Sequence, residues 1–326
     1  VNTPVILDEV QNVPEVFAHV RARIDREPRR TGRWILTGSQ ESSLMRGVTE
    51  SMAGRAAVLQ LWPLAVPEST KVSLLRGGFP EVVARPRAAG LWFSSYTQTY
   101  LERDVRAVTA VHDLATFRRF LALVASRHGQ AQNKTDLAAP LGMSVPGIGK
   151  WLDILETTQQ LLVIPPYFEN FGKRLVKAPK LYLSDPGLTC HLLGIETEAE
   201  LARSPFLGAL FEGWIAAEII KAQANAGQRR ELYYFRDQQG LEVDFLVPGK
   251  QGGLTLIEAK ATRSPTPAMA SAMMKLAAAL GPRHAVRALL VHRARDAAAV
   301  ATRALVPGVQ AVDIAGLVEV IASARR

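Results

Sequence analysis

A short apolar run near the start of the sequence, ending in two carboxylates, constrains the fold more than any other feature. Val5-Ile6-Leu7 is uniformly apolar, and Asp8-Glu9 follow it directly. Such a run is typical of a strand that is buried on both faces of a parallel sheet. A parallel strand needs a neighbour, and the chain reaches that neighbour through a crossover that is usually a helix. The sequence therefore predicts an α/β architecture from its first residues.

The next residues supply the crossover and further strands. Apolar residues at spacing four predict a helix over 14–26, and short apolar runs predict strands over 34–37 and 57–61. This rhythm predicts a partial parallel sheet of the P-loop type over residues 1–70. We expect the sheet to extend beyond these strands, which would leave an uncovered apolar edge and favour self-association.

Composition limits the class of protein. The 326 residues are enough for two or three domains, and 48% of them are hydrophobic, which suits a folded chain. No apolar run reaches the roughly 18 residues of a membrane span, and no signal peptide is recognised, so we expect a cytoplasmic protein with no membrane partner. Cys190 is the single cysteine, which excludes cysteine-built metal sites. A net charge of +9 favours a polyanionic partner such as DNA.

Residues 71–200 are predicted to be mainly helical, with a winged helix-turn-helix over about 130–183. Gly142 breaks a first short helix, and Ser144-Val145-Pro146 carries the start signal of a second. The apolar runs 161–164 and 180–183 are predicted to pair as the wing. Lys150 on the second helix is the candidate contact with a DNA phosphate. A helical bundle with no role in DNA binding is the alternative.

Residues 201–326 are predicted to return to α/β and to carry a constellation of charged residues. Strand alternation gives Glu258 and Lys260 a common face on one strand and turns Asp244 towards them from the strand before it. Two carboxylates can bind a divalent metal, and an adjacent lysine can orient a water molecule. Magnesium at Asp244 and Glu258 is therefore the candidate cofactor. The alternative is an ordinary cross-strand set of salt bridges. The same alternation predicts one shared face for Val243, Phe245 and Val247.

Asp8 and Glu9 fit the Walker B element of an ATPase. An aspartate at the carboxyl end of a strand holds the magnesium of a nucleotide, and the following glutamate polarises the attacking water. Ser39 ends the second predicted strand, where such ATPases place a sensor of the γ-phosphate. The alternative is an acidic strand end that precedes a helix and suits its dipole.

Taken in order, several short segments resemble a bacterial and archaeal AAA-type ATPase family whose C-terminal part is the domain of unknown function 4143. The matching segments are Val5–Gln11, Trp34–Gln40, Glu50–Arg55, Gly77–Glu81, Tyr100–Val105 and Lys180–Leu188. The resemblance implies a nucleotide site that includes Asp8, Glu9 and Ser39. It also implies that Arg55 lies in an arginine turn that could reach a neighbour's nucleotide.

The C-terminal constellation resembles the PD-(D/E)xK nuclease fold. The pattern is Asp244 followed by Glu258-x-Lys260, and Glu212 on the preceding helix matches an additional acidic residue of that fold. The resemblance implies that these four residues are catalytic and that the metal lies at Asp244 and Glu258. It also implies a nuclease-like domain over residues 201–326.

The sequence departs from the ATPase pattern in one important respect. A phosphate-cradling loop needs G-x-x-x-x-G-K-[ST], and none of Gly149-Lys150, Gly172-Lys173 and Gly249-Lys250 satisfies it. The resemblance would place that loop before Val1, so we expect an N-terminally truncated family member. ATP would then be a cofactor of a full-length parent only, and Glu9 would act only together with that loop.

These observations lead to one expected function and one rival. The first is an AAA-type ATPase-family protein with a nuclease-like C-terminal domain that acts on DNA with Mg²⁺ and does not itself hydrolyse ATP. The rival is a non-catalytic module that keeps the nuclease-like fold and binds a protein or DNA partner.

Overall fold

The computed structural model describes residues 3–38, 52–101, 114–167, 177–281, 284–293 and 303–323. The chain divides into two compact units, Val1–Gln60 and Leu61–Arg326. The predicted boundary at residue 70 lies close to this division. The predicted boundary at residue 200 lies inside the second unit and stays a prediction.

The first unit is a βαβ element, as predicted from the opening residues. Strand β1 (Val5–Leu7) pairs in parallel with β2 (Trp34–Leu36), and helix α1 (Val16–Arg26) connects them. One face of the strand pair packs on α1 through a small apolar core built around Phe17 and Val20. On the other face Ile6 is 66% exposed and Ile35 is 48% exposed. The strands are therefore buried on one face only.

The prediction of a strand over residues 57–61 is wrong. In this segment Val58, Leu59 and Leu61 are exposed, and the backbone pairs with no other strand of the described residues. A strand persists only where a neighbour satisfies its backbone N–H and C=O groups. An apolar composition alone supplies no such neighbour here.

The second unit begins with helices and a hairpin. The helices are α2 (Pro80–Ala84), α3 (Ala89–Tyr96), α4 (Leu114–Ser126), α5 (Lys134–Ala138) and α6 (Val145–Thr157). Strands β3 (Leu161–Ile164) and β4 (Lys180–Leu183) pair in antiparallel fashion, as predicted for the wing. Two helices and an antiparallel hairpin thus occur in the predicted order, and their assignment as a winged helix-turn-helix stays a prediction.

Local signals set the turn at Gly142 and the start of α6, as the sequence indicates. The Ser144 side chain accepts a hydrogen bond from the backbone N–H of Gly147 and caps α6, and Gly142 ends the preceding turn with φ of 63°. The buried core between α4, α6 and the hairpin includes Phe117, Phe120 and Trp151. These aromatic rings contact one another at 5.2–5.9 Å between centroids.

A six-stranded mixed sheet forms the rest of the second unit, in the order β5-β6-β7-β8-β10-β9. The strands are β5 (Tyr233–Arg236), β6 (Glu242–Pro248), β7 (Leu254–Lys260), β8 (Val286–His292), β9 (Arg303–Val306) and β10 (Val309–Val312). The helices are α7 (Pro186–Leu192), α8 (Glu198–Arg203), α9 (Leu207–Asn225), α10 (Ser271–Leu280) and α11 (Ile314–Ser323). The β7–β8 and β8–β10 pairs are parallel, and the other pairs are antiparallel.

Helices cover both faces of this sheet. Helices α9 and α11 pack on one face, where Ile215 and Leu317 lie in one core with Ile257. Helix α10 packs on the other face, where Met273 lies in a second core with Leu256. The result is a three-layer α/β/α arrangement whose sheet is buried on both sides.

Strict alternation fails in β6, and one prediction is corrected there. Phe245 and Val247 belong to the core beneath α9, whereas Val243 belongs to the core beneath α10. The β5–β6 register shifts between the pairs Tyr233↔Leu246 and Phe235↔Val243, which marks a bulge. Because a bulge inserts one unpaired residue, it changes which face the following side chains occupy. Val243 therefore does not share a face with the other two.

The fold class is mixed α/β, with eleven helices among the residues that the structure describes and one mixed six-stranded sheet. Among these helices, none combines the length and the apolar character that a bilayer crossing requires.

Candidate functional site

Six charged side chains gather where β4, β6, β7 and α9 meet, and we call them the acidic cluster. Its carboxylates come from α9, from the start of β6 and from the end of β7, and its two ammonium groups come from β4 and β7. The members are Glu212, Glu242, Asp244, Glu258, Lys180 and Lys260. The structure thus brings together all four residues that the sequence assigned to a nuclease-type constellation. Their catalytic role stays a prediction.

Glu258 and Lys260 form the contact that their spacing predicts. Lys260 Nζ donates to Glu258 Oε1 at 2.6 Å. The Glu258 side chain is 8% exposed and that of Lys260 is 35% exposed. Glu258 Oε2 is buried and has no hydrogen-bond partner among the residues that the structure describes. Because a buried acceptor without a partner is costly, this oxygen is the best candidate in the cluster for contacting a ligand.

Asp244 connects the two central strands of the cluster. Its Oδ2 accepts a hydrogen bond from the backbone N–H of Ala259 at 2.8 Å. The β6–β7 register pairs Phe245 with Ile257, and one further step places Asp244 opposite Glu258. The two carboxylates thus occupy facing positions on neighbouring strands, as the sequence predicted.

Lys180 was not predicted as a site residue, although it lies at the centre of the cluster. Its Nζ is 2.8 Å from Glu212 Oε1 and 2.6 Å from Glu242 Oε1. Its side chain is only 6% exposed. Tyr182, two residues further along β4, donates its hydroxyl to the same Glu212 oxygen. The sequence offered one signal for this role, which is a lysine and a tyrosine two residues apart in an otherwise apolar strand.

Burial and mutual repulsion perturb the cluster's carboxyl groups. Burial, followed by the charge of Asp244, raises the pKa of Glu212 and of Glu258 to about 7. Burial also raises the pKa of Asp244, although both lysines oppose the shift. Burial alone would lower the pKa of Lys180, but the surrounding carboxylates outweigh it and raise that pKa. The cluster therefore holds protonated ammonium groups beside carboxyl groups that titrate near neutrality.

The cluster is only partly arranged for a metal ion. Across the described ranges, no three or more His, Cys, Asp or Glu side chains are placed so that they could hold one together. Asp244 and Glu258 still offer oxygen ligands, and among them is the Glu258 Oε2 that has no partner within the described part of the chain. One or two carboxylates are a common protein share of a magnesium site whose other ligands are water and substrate phosphate.

The first unit places the predicted nucleotide residues at the carboxyl ends of its two strands. Asp8 follows β1 and accepts a hydrogen bond from the hydroxyl of Thr37, which follows β2. Glu9 has φ of 51°, in the left-handed region, and its carboxylate accepts from the Gln11 amide. Ser39 lies outside the described residues. Neighbouring strand ends therefore meet as the βαβ prediction requires.

Arg55 and Lys150 have different environments. The Arg55 guanidinium contacts Asp25 of α1 through two nitrogens, at 2.5 and 3.3 Å. This contact lowers the pKa of Asp25. Lys150 is exposed on α6, as a contact with DNA would need. Neither observation tests the predicted role of the residue.

Two of the segments that suggested the family resemblance meet in a buried joint. Asp185 is fully buried and accepts from the backbone N–H groups of Gly78 at 2.8 Å and Leu188 at 2.9 Å. A Cβ on Gly77 would lie 2.0 Å from Asp185 Oδ1, and a Cβ on Gly187 would lie 2.3 Å from the Arg76 carbonyl oxygen. These glycines allow close packing, so the joint stabilises the fold.

Three family models match successive parts of the chain. Residues 1–70 match the model of an AAA domain, and residues 207–309 match a domain of unknown function (DUF4143). Residues 68–199 match another domain of unknown function (DUF8612). The first two matches support an AAA-type ATPase-like family.

Two curated relatives come from mycobacteria. One uncharacterized protein of Mycobacterium tuberculosis and one of Mycobacterium bovis are each 33% identical to the chain over 280 residues. The aligned region covers 83% of this chain and 62% of each relative. The chain thus spans about three fifths of the length of these relatives.

Proposed function

We propose that this AAA-type ATPase-like protein carries a PD-(D/E)xK nuclease-like domain over residues 201–326, which cleaves phosphodiester bonds of DNA with Mg²⁺. The observation that best supports the proposal is the difference between the two carboxylate oxygens of Glu258. One of its oxygens binds Lys260 at 2.6 Å, while the other is buried and unpartnered among the described residues. Asp244 faces it from the next strand. Two carboxylates and a lysine are the groups that such chemistry needs.

Asp244 and Glu258 would hold the magnesium ion. When bound, the ion would neutralise phosphate charge and make a water molecule more acidic. Because the Glu258 pKa is raised to about 7, the free site carries a proton for part of the time near neutrality. A cation and this proton compete for the same carboxylate, so metal affinity should rise with pH.

Lys260 would bind the phosphate and keep Glu258 in place. Its ammonium remains charged, because carboxylates on both sides outweigh burial and raise its pKa. With 35% of its side chain exposed, it is more accessible than Lys180 at 6%. Lys260 can therefore contact a substrate in solution while it donates to Glu258. The role of Glu212 would be to set the charge of the cluster.

The winged helix-turn-helix over residues 130–183 would bind the DNA backbone. The exposed Lys150 and the net charge of +9 support this part of the proposal. Gly147 and Gly149 carry no side chain that could reach a base, which favours contact with phosphates over sequence-specific reading.

The first unit would belong to a nucleotide site. Asp8, Glu9 and Ser39 would face the nucleotide and its magnesium ion, and Arg55 would serve a neighbouring subunit. The 326 residues contain no G-x-x-x-x-G-K-[ST] to cradle phosphates, so we propose that this chain does not hydrolyse ATP by itself. The exposed Ile6 and Ile35 support the proposal of self-association.

One observation favours a non-catalytic alternative. Lys180 already neutralises Glu212 and Glu242 from within the protein, as it would in a cluster that no longer needs a metal ion. In that case the domain would keep the nuclease-like fold and serve to bind a protein or DNA.

A cleavage assay separates the two functions. The protein is incubated with plasmid and with single-stranded DNA in Mg²⁺ or Mn²⁺, beside the variants Lys260→Ala and Lys275→Ala. Lys275 is an exposed lysine on α10 and serves as the matched control. We expect cleavage by the unmodified protein and by Lys275→Ala, and its loss in Lys260→Ala. The same absence of cleavage in all three proteins would favour the non-catalytic alternative.

A further inference from the structure

Lys180 belongs to the acidic cluster but lies on a different sheet from Glu242, Asp244 and Glu258. It lies on β4 of the hairpin, whereas Glu242 and Asp244 lie on β6 of the large sheet. Its Nζ contacts Glu212 and Glu242 at 2.8 and 2.6 Å, and it lies 5.4 Å from the centre of the Tyr234 ring. The charge of Asp244 acts on it as well. One ammonium therefore contacts two carboxylates and also feels the charge of a third.

The hairpin holds this ammonium firmly in place. Tyr167 donates its backbone N–H to the Tyr234 carbonyl at 2.7 Å, and Tyr234 donates its own to the Pro165 carbonyl at 3.1 Å. These bonds join the end of β3 to β5 at the edge of the large sheet. The Lys180 side chain is also almost fully buried, so that few other positions are open to it.

The contacts of Lys180 leave little room for a metal ion at the same oxygens. Glu212 Oε1 already accepts from both Lys180 and Tyr182, which uses its two lone pairs. A magnesium ion would need to lie about 2.0–2.1 Å from such an oxygen, inside the space that the donors occupy. At the edge of the cluster, Arg236 Nη1 lies 3.5 Å from Glu242 Oε2 and adds a further positive charge.

We propose that Lys180 is a built-in cation that takes the place of a divalent ion between Glu212 and Glu242, the two carboxylates that its Nζ contacts. The cluster then accepts a single divalent cation, at Asp244 and Glu258, because Lys180 excludes a second one. The location of that single ion rests on the proposed function, whereas the exclusion of a second ion by Lys180 does not. Lys180 is in this sense a positioning residue.

The test counts bound Mn²⁺ by isothermal titration, with electron paramagnetic resonance of the free ion as a second readout. The samples at pH 7.5 are the unmodified protein, Lys180→Met and the matched surface variant Lys275→Met. We expect Lys180→Met to bind one Mn²⁺ more than the other two proteins. Equal numbers in all three would overturn the proposal.

A double variant and a folding readout make the result specific. Lys180→Met combined with Glu212→Gln should lose the additional ion, because one of the freed carboxylates is gone. Retention of that ion in the double variant would contradict the assignment. Mn²⁺ should also raise the melting temperature of Lys180→Met more than that of the unmodified protein. If Lys180→Met does not fold, Lys180→Gln, which keeps a polar group, takes its place under the same criteria.

The outcomes separate this inference from the proposed function. No ion in the unmodified protein, together with one in Lys180→Met, would refute the metal site at Asp244 and Glu258 and support the role of Lys180. One ion in both proteins would support the metal site and refute the role of Lys180.

Discussion

Replacement of Gly77 by alanine should destabilise the second unit much more than the same change at an open glycine. Gly77 has φ of +69°, and an added Cβ would lie 2.0 Å from Asp185 Oδ1 and 2.5 Å from Asp185 Cγ. Asp185 cannot move away cheaply, because it is fully buried and accepts from Gly78 and Leu188. The substitution therefore affects both the local backbone and the buried joint.

The magnitude follows from two contributions. An L-residue in the left-handed region costs about 1–2 kcal/mol. Displacing Asp185 weakens a buried hydrogen bond to a carboxyl group, which adds about 1–3 kcal/mol. Gly77→Ala should thus lower the free energy of unfolding by about 2–5 kcal/mol. Gly194 is the matched control, because its φ is +70° and an added Cβ meets nothing within 4 Å. Gly194→Ala should show the first contribution alone.

Urea unfolding monitored by tryptophan fluorescence measures both variants against the unmodified protein. We expect a clearly lower midpoint of unfolding for Gly77→Ala than for Gly194→Ala. Equal destabilisation by the two substitutions would show that the close contact between Gly77 and Asp185 does not stabilise the joint.

Three further predictions concern charge and ligands. Because the pKa values of Glu212 and Glu258 are raised to about 7, the free energy of unfolding should fall as pH rises from about 4.5 through 7. Urea unfolding at pH 5 and pH 8 measures this change. Glu212→Gln should make the free energy of unfolding less dependent on pH. Isothermal titration should detect no Mg-ATP binding at micromolar nucleotide, and stoichiometric binding there would contradict the proposal for the first unit. Lys150→Ala should weaken DNA binding about equally for all sequences. It should also reduce the slope of the logarithm of the binding constant against the logarithm of the salt concentration by about 1. Fluorescence anisotropy at several salt concentrations measures both effects.

The parts of the fold that depend on local pattern could be predicted from the sequence. Apolar periodicity located α1, and the cap at Ser144 located the start of α6. The Glu258–Lys260 contact followed from their spacing alone, because side chains two apart on a strand share a face.

The parts that depend on long-range contacts could not be predicted. Lys180 meets Glu212 across 32 residues and Glu242 across a greater separation, and no local pattern encodes either contact. The bulge in β6 could not be predicted either, because it arises from pairing with β5. In the sequence this segment shows only ordinary alternation. The segment 57–61 has the composition of a strand, but it pairs with no other strand among the described residues.

Binding of Mn²⁺ to the unmodified protein and to Glu258→Gln is the decisive measurement for the proposed metal site. In the proposed site, one divalent cation binds Asp244 and the Glu258 oxygen that has no partner among the residues the structure describes. Isothermal titration at pH 7.5 should find one bound Mn²⁺ per chain in the unmodified protein, weaker binding at pH 6, and none in Glu258→Gln. No Mn²⁺ binding in the unmodified protein, or equal binding in Glu258→Gln, would contradict the account.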